Sequence, residues 1–216
     1  MSKLPEAGKS KTRLAAALGA KEAAGVQRVL LVHVVRRLAP LGELVISFDP
    51  PKAEAAMREL LGRNAMYVAQ CSGDLGARIS HAFENVAPDE MLLLGGDSPD
   101  VPITSISDAI DLLDENEVVL GPCEDGGYWC FGAKRNVRVA SLLQNIEWSS
   151  GRELQQTLDR ASSLGYRTAL APGWCDVDHA DDLRRLVTRL RKTDNTESMQ
   201  LLEKLASVLP PGAMSL

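Results

Sequence analysis

The sequence predicts an α/β fold in which a mostly parallel sheet is covered by helices on both faces. Short apolar, β-branched runs alternate with stretches of helical periodicity. Those runs stop at Gly, Pro or Asp, as strands feeding loops do. The 216 residues, with 45% hydrophobic and 25% charged side chains, suit one ordinary globular domain with a sizeable core. Strand–helix–strand alternation implies right-handed crossovers, and hence parallel neighbours buried on both faces.

Each element rests on its own pattern. In residues 20–41, Val29, Leu30, Val32, Val34 and Leu38 are interleaved with Arg28, His33, Arg36 and Arg37 at helical spacing. Residues 44–48 are β-branched and close on Asp49-Pro50-Pro51, a buried strand ending in a turn. A helix is expected over 52–61, a weaker strand over 66–69, a helix over 74–86 and a strand over 91–94 that stops at Gly95-Gly96-Asp97. Beyond it come a helix over 106–113, strands over 118–120 and 128–131, a helix over 151–164, a strand over 166–171 and an Arg- and Asp-rich helix over 181–191. The domain is placed at 1–192, with 193–216 read as a peripheral helix and frayed end.

Composition excludes several function classes. A net charge of −5 argues against a nucleic-acid surface, which needs clustered Lys and Arg. Without a run of about 18 apolar residues or a signal-type apolar region, no membrane partner is expected and the cytoplasm is the expected location. Cys71, Cys123, Cys130 and Cys175 have neither disulfide-framework nor zinc-finger spacing and read as reduced packing residues. His33, His81 and His179 share no spacing with a nucleophile or metal set and read as helix-surface residues.

The candidate chemistry lies in acids that follow apolar strands, because open α/β sheets bind ligands beyond the carboxyl ends of their strands. In Leu94-Gly95-Gly96-Asp97-Ser98-Pro99-Asp100 the glycines let backbone approach a ligand, and Asp97 and Asp100 offer the hard oxygens that Mg²⁺ or Mn²⁺ prefers. The alternative is an Asp/Ser/Pro turn capping the next helix, which stays open for Asp100. Residues 5–14 place Lys9, Lys11 and Arg13 at the start of an Ala-rich helix, where free N–H groups favour a phosphate. Lys3 stands where a Walker A loop needs its first Gly and no strand precedes it, which disfavours that motif. Glu124-Asp125-Gly126-Gly127-Tyr128 is a hairpin turn or a ligand contact. Asp176 is a candidate metal or substrate ligand, whereas Asp178 also suits a helix N-cap. Arg78 either reaches a phosphate or merely sits in the first turn of a helix.

Taken in order, Pro5-x-x-Gly8-x-x-Lys11-Thr12-Arg13-Leu14, Gly73-Asp74-Leu75-Gly76-x-Arg78, Gly96-Asp97-Ser98-Pro99-Asp100, Gly121-Pro122-x-Glu124-Asp125-Gly126-Gly127-Tyr128 and Asp176-Val177-Asp178-x-x-x-Asp182-Leu183 resemble one family. It comprises the small GT-A-type transferases called radical-SAM/selenodomain-associated transferase 1, or the arsenosugar-biosynthesis glycosyltransferase family. The resemblance implies a three-layer α/β/α sandwich of the nucleotide-diphospho-sugar transferase type. It implies Asp97, Asp100 and Asp176 as ligands of Mg²⁺ or Mn²⁺, and Gly8, Lys11, Arg13 and Arg78 around nucleotide phosphates. Gly126, Gly127, Tyr128 and Trp148 would then meet the acceptor or sugar, with Asp125 and Asp176 as catalytic groups.

The substrates implied are a nucleotide sugar and a small-molecule acceptor. The alternatives are a nucleotidyltransferase taking a nucleoside triphosphate and an inactive nucleotide-binding protein. Relatives carry an apolar strand before the Pro-x-x-Gly loop, and here only Met1-Ser2-Lys3-Leu4 precedes Pro5. The fold is therefore expected to lack its first strand, to leave backbone groups unpaired in the core, and to reflect a misplaced start codon or a truncated gene.

Overall fold

A computed structural model describes residues 1–86, 89–193 and 195–210. In chain order its elements are β1 (Ser2–Lys3), α1 (Thr12–Leu18), α2 (Ala20–Leu38), β2 (Val45–Asp49), a 3₁₀ turn (Pro51–Ala53), α3 (Glu54–Leu61), β3 (Met66–Ala69), α4 (Leu75–Val86) and β4 (Glu90–Leu94). They continue with α5 (Ile103–Glu115), β5 (Val118–Pro122), β6 (Tyr128–Lys134), α6 (Val139–Leu142), α7 (Glu153–Ser163), β7 (Thr168–Leu170), α8 (Ala180–Lys192) and α9 (Thr196–Val208). The expected alternation of strand and helix is present.

Pairing is parallel between β1 and β2, β2 and β3, and β5 and β7, while β6 runs antiparallel to both β4 and β5. The exception follows from the Glu124–Gly127 turn, which folds β6 straight back on β5. Alternating side chains of β5 explain the layers. Val118 and Leu120 pack with α4, α6 and α7 residues such as Ile79, Leu142 and Ala161, whereas Val119 joins α5 residues such as Ile106, Ala109 and Leu113 on the other face.

Strand order divides into two half-sheets, β1-β2-β3 and β4-β6-β5-β7. This corrects the expectation of an absent first strand: two residues of it are present, with Ser2 opposite Phe48 and Lys3 opposite Asp49. The Met1 amine donates to Leu94 O at 2.7 Å, so Met1–Lys3 bridges the two halves. Among the described residues no strand lies between Val45–Ser47 and the outer edge of β4. A cavity of about 110 Å³ lies there, walled by Leu31, Val34, Ile46 and Leu92.

The C-terminal helix is integral to the core rather than peripheral. Leu201 and Leu205, spaced i, i+4 on α9, are 0% exposed and pack with Leu30 of α2 and Leu186 of α8. Burying each contributes about 2 kcal/mol. Residues 211–216 of the expected frayed end lie outside the described residues. His33 is likewise buried rather than on a helix surface, with Glu197 of α9 at 3.6 Å.

The start of α8 differs from expectation in its cap. His179, not Asp178, is the N-cap residue, and Asp182 accepts from the His179 and Asp178 N–H groups at 2.6 and 3.0 Å. That capping box is worth about 1 kcal/mol and frees the Asp178 carboxylate for the site. The cysteines are all free. Among the described residues no helix is long and apolar enough to cross a membrane.

Candidate active site

The site forms where the loops after β4 and β7 meet the loop leading into α1. Gly95 leaves the space that the Asp97 side chain uses, since a Cβ there would fall 2.5 Å from Asp97 Oδ1. The Val177 N–H donates to Asp97 O at 2.9 Å, tying the two acidic loops together. Lys11 enters from the other side, with its backbone in the left-handed region at φ 47, ψ 49. Its ammonium lies 2.9 Å from Asp97 Oδ2 and 3.7 Å from Asp178 Oδ1, and its side chain is only 8% exposed. Arg13 Nη1 donates to Asp178 Oδ2 at 2.6 Å.

These contacts set the charge states. Burial alone would lower the Lys11 pKa, but Asp97, with Asp178 and Asp176 behind it, reverses the effect and holds the ammonium protonated. Burial would raise the Asp97 carboxyl, and Lys11 and the Met1 amine pull it below the usual carboxylate range. Among the described residues Asp176 has no such cation in contact. Burial pushes it up to about 6, reinforced by the Asp97 charge and opposed by Lys11. The Met1 amine is lowered to about 6 by burial, against the pull of Asp97.

Two cavities meet at these acids. One, of about 560 Å³, is lined by Ser10, Lys11, Arg13, Asp97, Asp176 and Asp178 among others. The second, of about 400 Å³, shares Arg13, Asp97, Tyr128 and Asp176 and adds Asp125, Gly127 and Trp148. Tyr128 and Trp148 pack edge to face with centroids 6.5 Å apart. The buried Trp148 Nε1 and Ser98 Oγ, both on residues lining the second cavity, have no hydrogen-bond partner among the described residues. Asp125 Oδ1 accepts from the Gly127 N–H at 3.0 Å, which fixes the turn.

Four expected site residues stand elsewhere. Asp100 is turned away from Asp97: its carboxylate accepts from Arg189 Nε and Nη2 at 2.6 and 3.1 Å and from Trp174 Nε1 at 3.2 Å. Both of its oxygens are spent inside the fold, so it is not placed to hold a metal. Arg78 donates to Gln70 Oε1 at 3.1 Å and lies 3.6 Å from Asp49, strapping the ends of β2 and β3 together. Gly126 does not line either cavity but packs on Gly151, and Gly8 is an exposed loop residue at φ +77. Conversely, Asp178 holds both Lys11 and Arg13, a role hidden in sequence behind its position beside a helix start.

The residues fit a divalent ion of the kind that takes one or two carboxylates and completes its shell from substrate phosphates. Asp97 and Asp176 are close enough that the Asp97 charge raises the Asp176 carboxyl, and both line both cavities. Among the described residues no group of three or more His, Cys, Asp or Glu forms a closed metal cage.

A profile of the DUF2064 family, described as an uncharacterized protein conserved in bacteria, matches residues 31–150. The chain belongs to the DUF2064 family. That span includes β4, Asp97 and the Asp125 turn. This DUF2064 protein is 28% identical over 117 residues to 2-phospho-L-lactate guanylyltransferase of Methanocaldococcus vulcanius, a match covering 54% of this chain and 52% of the relative. The chain thus spans about half the length of the curated relatives it matches.

Among solved structures it resembles a candidate nucleotide-diphospho-sugar transferase of Desulfovibrio desulfuricans G20, with TM-score 0.86, 28% identity and coverage of 95% of this chain and 93% of that one. A manganese complex of Rv0371c from Mycobacterium tuberculosis H37Rv shares the fold at 22% identity and TM-score 0.51, over 72% of this chain and 84% of that one. The fold is that of the nucleotide-diphospho-sugar transferases, and the relatives so named are transferases.

Proposed function

We propose that this DUF2064 protein is a metal-dependent glycosyltransferase that moves a sugar from a nucleotide-diphospho-sugar to a small-molecule acceptor. The observation that carries the reading is the meeting of two cavities at Asp97 and Asp176, one walled by Lys11 and Arg13, the other by Asp125, Tyr128 and Trp148. The cationic side suits a diphosphate. The aromatic and acidic side suits a sugar and the hydroxyl of an acceptor. Likeness to the Desulfovibrio desulfuricans structure supports the donor class.

Asp97 and Asp176 would hold Mg²⁺ or Mn²⁺, which when bound supplies charge stabilisation at the departing diphosphate. Lys11 and Arg13 would place positive charge beside the same phosphates, Lys11 from a largely buried position and Arg13 from the exposed mouth of the cavity. Asp125, exposed at the rim of the smaller cavity, would take the acceptor proton. Asp176, with its carboxyl near 6, is held where small changes in nearby charge alter its protonation.

A second reading is nucleotidyl transfer, favoured by the guanylyltransferase relatives. The two differ in what is released: a nucleoside diphosphate, or pyrophosphate. The test is a thermal-shift panel of nucleotide sugars, nucleoside diphosphates and triphosphates, each with and without Mn²⁺, followed by product analysis. A ligand at about 100 times its Kd adds about 2.7 kcal/mol. For a chain of this size that is a rise of about 5–10 °C. Metal-dependent stabilisation by a nucleotide sugar with release of nucleoside diphosphate is expected, and Asp97→Asn should remove it. Stabilisation by a triphosphate alone, with pyrophosphate released, overturns the glycosyl reading in favour of the second.

A further inference from the structure

We propose that Lys11 is a displaceable counter-ion that occupies the metal-binding face of Asp97 until a nucleotide arrives, so that metal and nucleotide enter the site as one unit. The inference rests on the reading of Asp97 as a metal ligand and adds an order to it.

The geometry supports the placeholder role in three ways. First, the Lys11 ammonium is in direct contact with Asp97 Oδ2 at 2.9 Å, on the carboxylate that also lines both cavities. A divalent ion approaching that oxygen meets an ammonium already there. A buried ammonium and a divalent ion do not share one carboxylate oxygen without a further anion to separate them. A diphosphate is such an anion, and it offers Lys11 a new partner as the metal takes the old one.

Second, the Lys11 side chain leaves from a backbone conformation that residues with a Cβ seldom adopt. Lys11 is a non-glycine residue in left-handed backbone at the N-cap of α1, without a side-chain capping bond. Strained backbone of this kind persists where surrounding contacts over-determine it and clusters at switching positions. Third, the next anchor is already in reach. Asp178 Oδ1 lies 3.7 Å from the same ammonium, and Arg13 sits on the other Asp178 oxygen at the mouth of the larger cavity. An ammonium leaving Asp97 therefore keeps one ion-pair partner while it turns toward the phosphates.

A lysine that merely binds phosphate and one that guards the metal face differ in an observable. Removing a phosphate lysine leaves the metal affinity of the nucleotide-free protein unchanged, whereas removing a guard raises it. Mn²⁺ binding to the nucleotide-free protein is measured by electron paramagnetic resonance and calorimetry, for the wild type and for Lys11→Met, Lys11→Gln and Lys11→Arg. The wild type and Lys11→Arg should bind Mn²⁺ weakly, and Lys11→Met at least tenfold more tightly. Lys11→Gln keeps a hydrogen-bonding side chain toward Asp97 and serves if Lys11→Met does not fold.

In the wild type, nucleoside diphosphate should tighten Mn²⁺ binding, and Mn²⁺ should tighten nucleoside diphosphate binding by the same factor. That factor should shrink in Lys11→Met because the free-state penalty is gone. Equal Mn²⁺ affinity in the wild type and the neutral variants overturns the placeholder role even if nucleotide sugars bind. Tighter Mn²⁺ binding in Lys11→Met, with no response of the wild type to any nucleotide, would instead remove the proposed function and leave the Lys11 contact standing.

Discussion

Gly126→Ala tests whether the acceptor cavity is built by two loops that lock on each other. Gly126 has φ +86, its N–H donates to Cys123 O at 3.2 Å and its carbonyl accepts from Leu154 N at 2.9 Å. A Cβ would stand 3.0 Å from the Cα of Gly151 and closer still to that residue's carbonyl. Forcing an L-residue into left-handed backbone costs about 1 kcal/mol. Moving the 149–151 loop aside adds about another 1–2 kcal/mol, in the range of overpacking elsewhere. A total of about 2–3 kcal/mol lowers Tm by roughly 5–10 °C.

Asp125 and Gly127 flank the substitution and line the smaller cavity, so their displacement should also cost transfer rate. A shift of about 1 Å at positioning residues can cost on the order of a hundredfold. Binding of nucleotide in the larger cavity, which none of residues 124–127 lines, should stay within about twofold. The assays are a melting curve, turnover, and nucleotide titration on the same preparation. Wild-type Tm and turnover in the variant would refute the steric argument. Loss of nucleotide affinity equal to the loss of turnover would refute the division into two subsites.

Two further outcomes bear on the frame. His33, whose side chain is 11% exposed, is lowered from 6.5 to about 4, by burial first and then by Arg37 and Lys204 against the pull of Glu197 and Asp100. The unfolded chain therefore takes up this proton before the folded one. The stability it contributes is complete above pH 6.5 and is lost as pH falls through about 4, at most about 3 kcal/mol. Urea unfolding between pH 7 and 4.5 should show that slope flattened in His33→Leu, and parallel curves for the two proteins would reject the assignment. Leu205→Ala should cost about 2–5 kcal/mol, because it opens a cavity between α9, α2 and α8; a loss under about 1 kcal/mol by denaturation would return α9 to the periphery.

Much of the fold was legible because its elements are locally consistent. The β-branched run before Asp49 and the apolar run before Gly95 are strands in the structure within a residue or two of expectation. What sequence did not show was decided by distant partners. Residues 193–210 look weakly helical and polar by themselves, yet Leu201 and Leu205 meet a groove between α2 and α8 that only the tertiary fold creates. His33 reads as one polar residue on an amphipathic helix until α9 covers it. The first strand was discounted because four residues are too short to register as a periodic segment, although two of them pair in register with β2.

The same reasoning explains why the acids were sorted imperfectly. Asp97 and Asp100 follow one strand, and Asp176 and Asp178 follow another, so in sequence all four are carboxylates at the ligand end of a sheet. Which ones stay available depends on the cations the fold brings to them. Asp100 meets Arg189, 89 residues away, in a two-point ion pair closed by the Trp174 N–H, and is removed from the chemistry. Asp178 loses its expected N-cap position to His179 and, thus released, receives Arg13 from 165 residues away and a share of Lys11. Asp176 has no ion-pair partner among the described residues, and burial pushes its carboxyl up to about 6.

A carboxylate at a strand end is therefore a candidate by position and a ligand only by what is left unpaired. By that measure Asp97, held by one lysine and with a side chain 34% exposed, is the acid whose partner has the most reason to move.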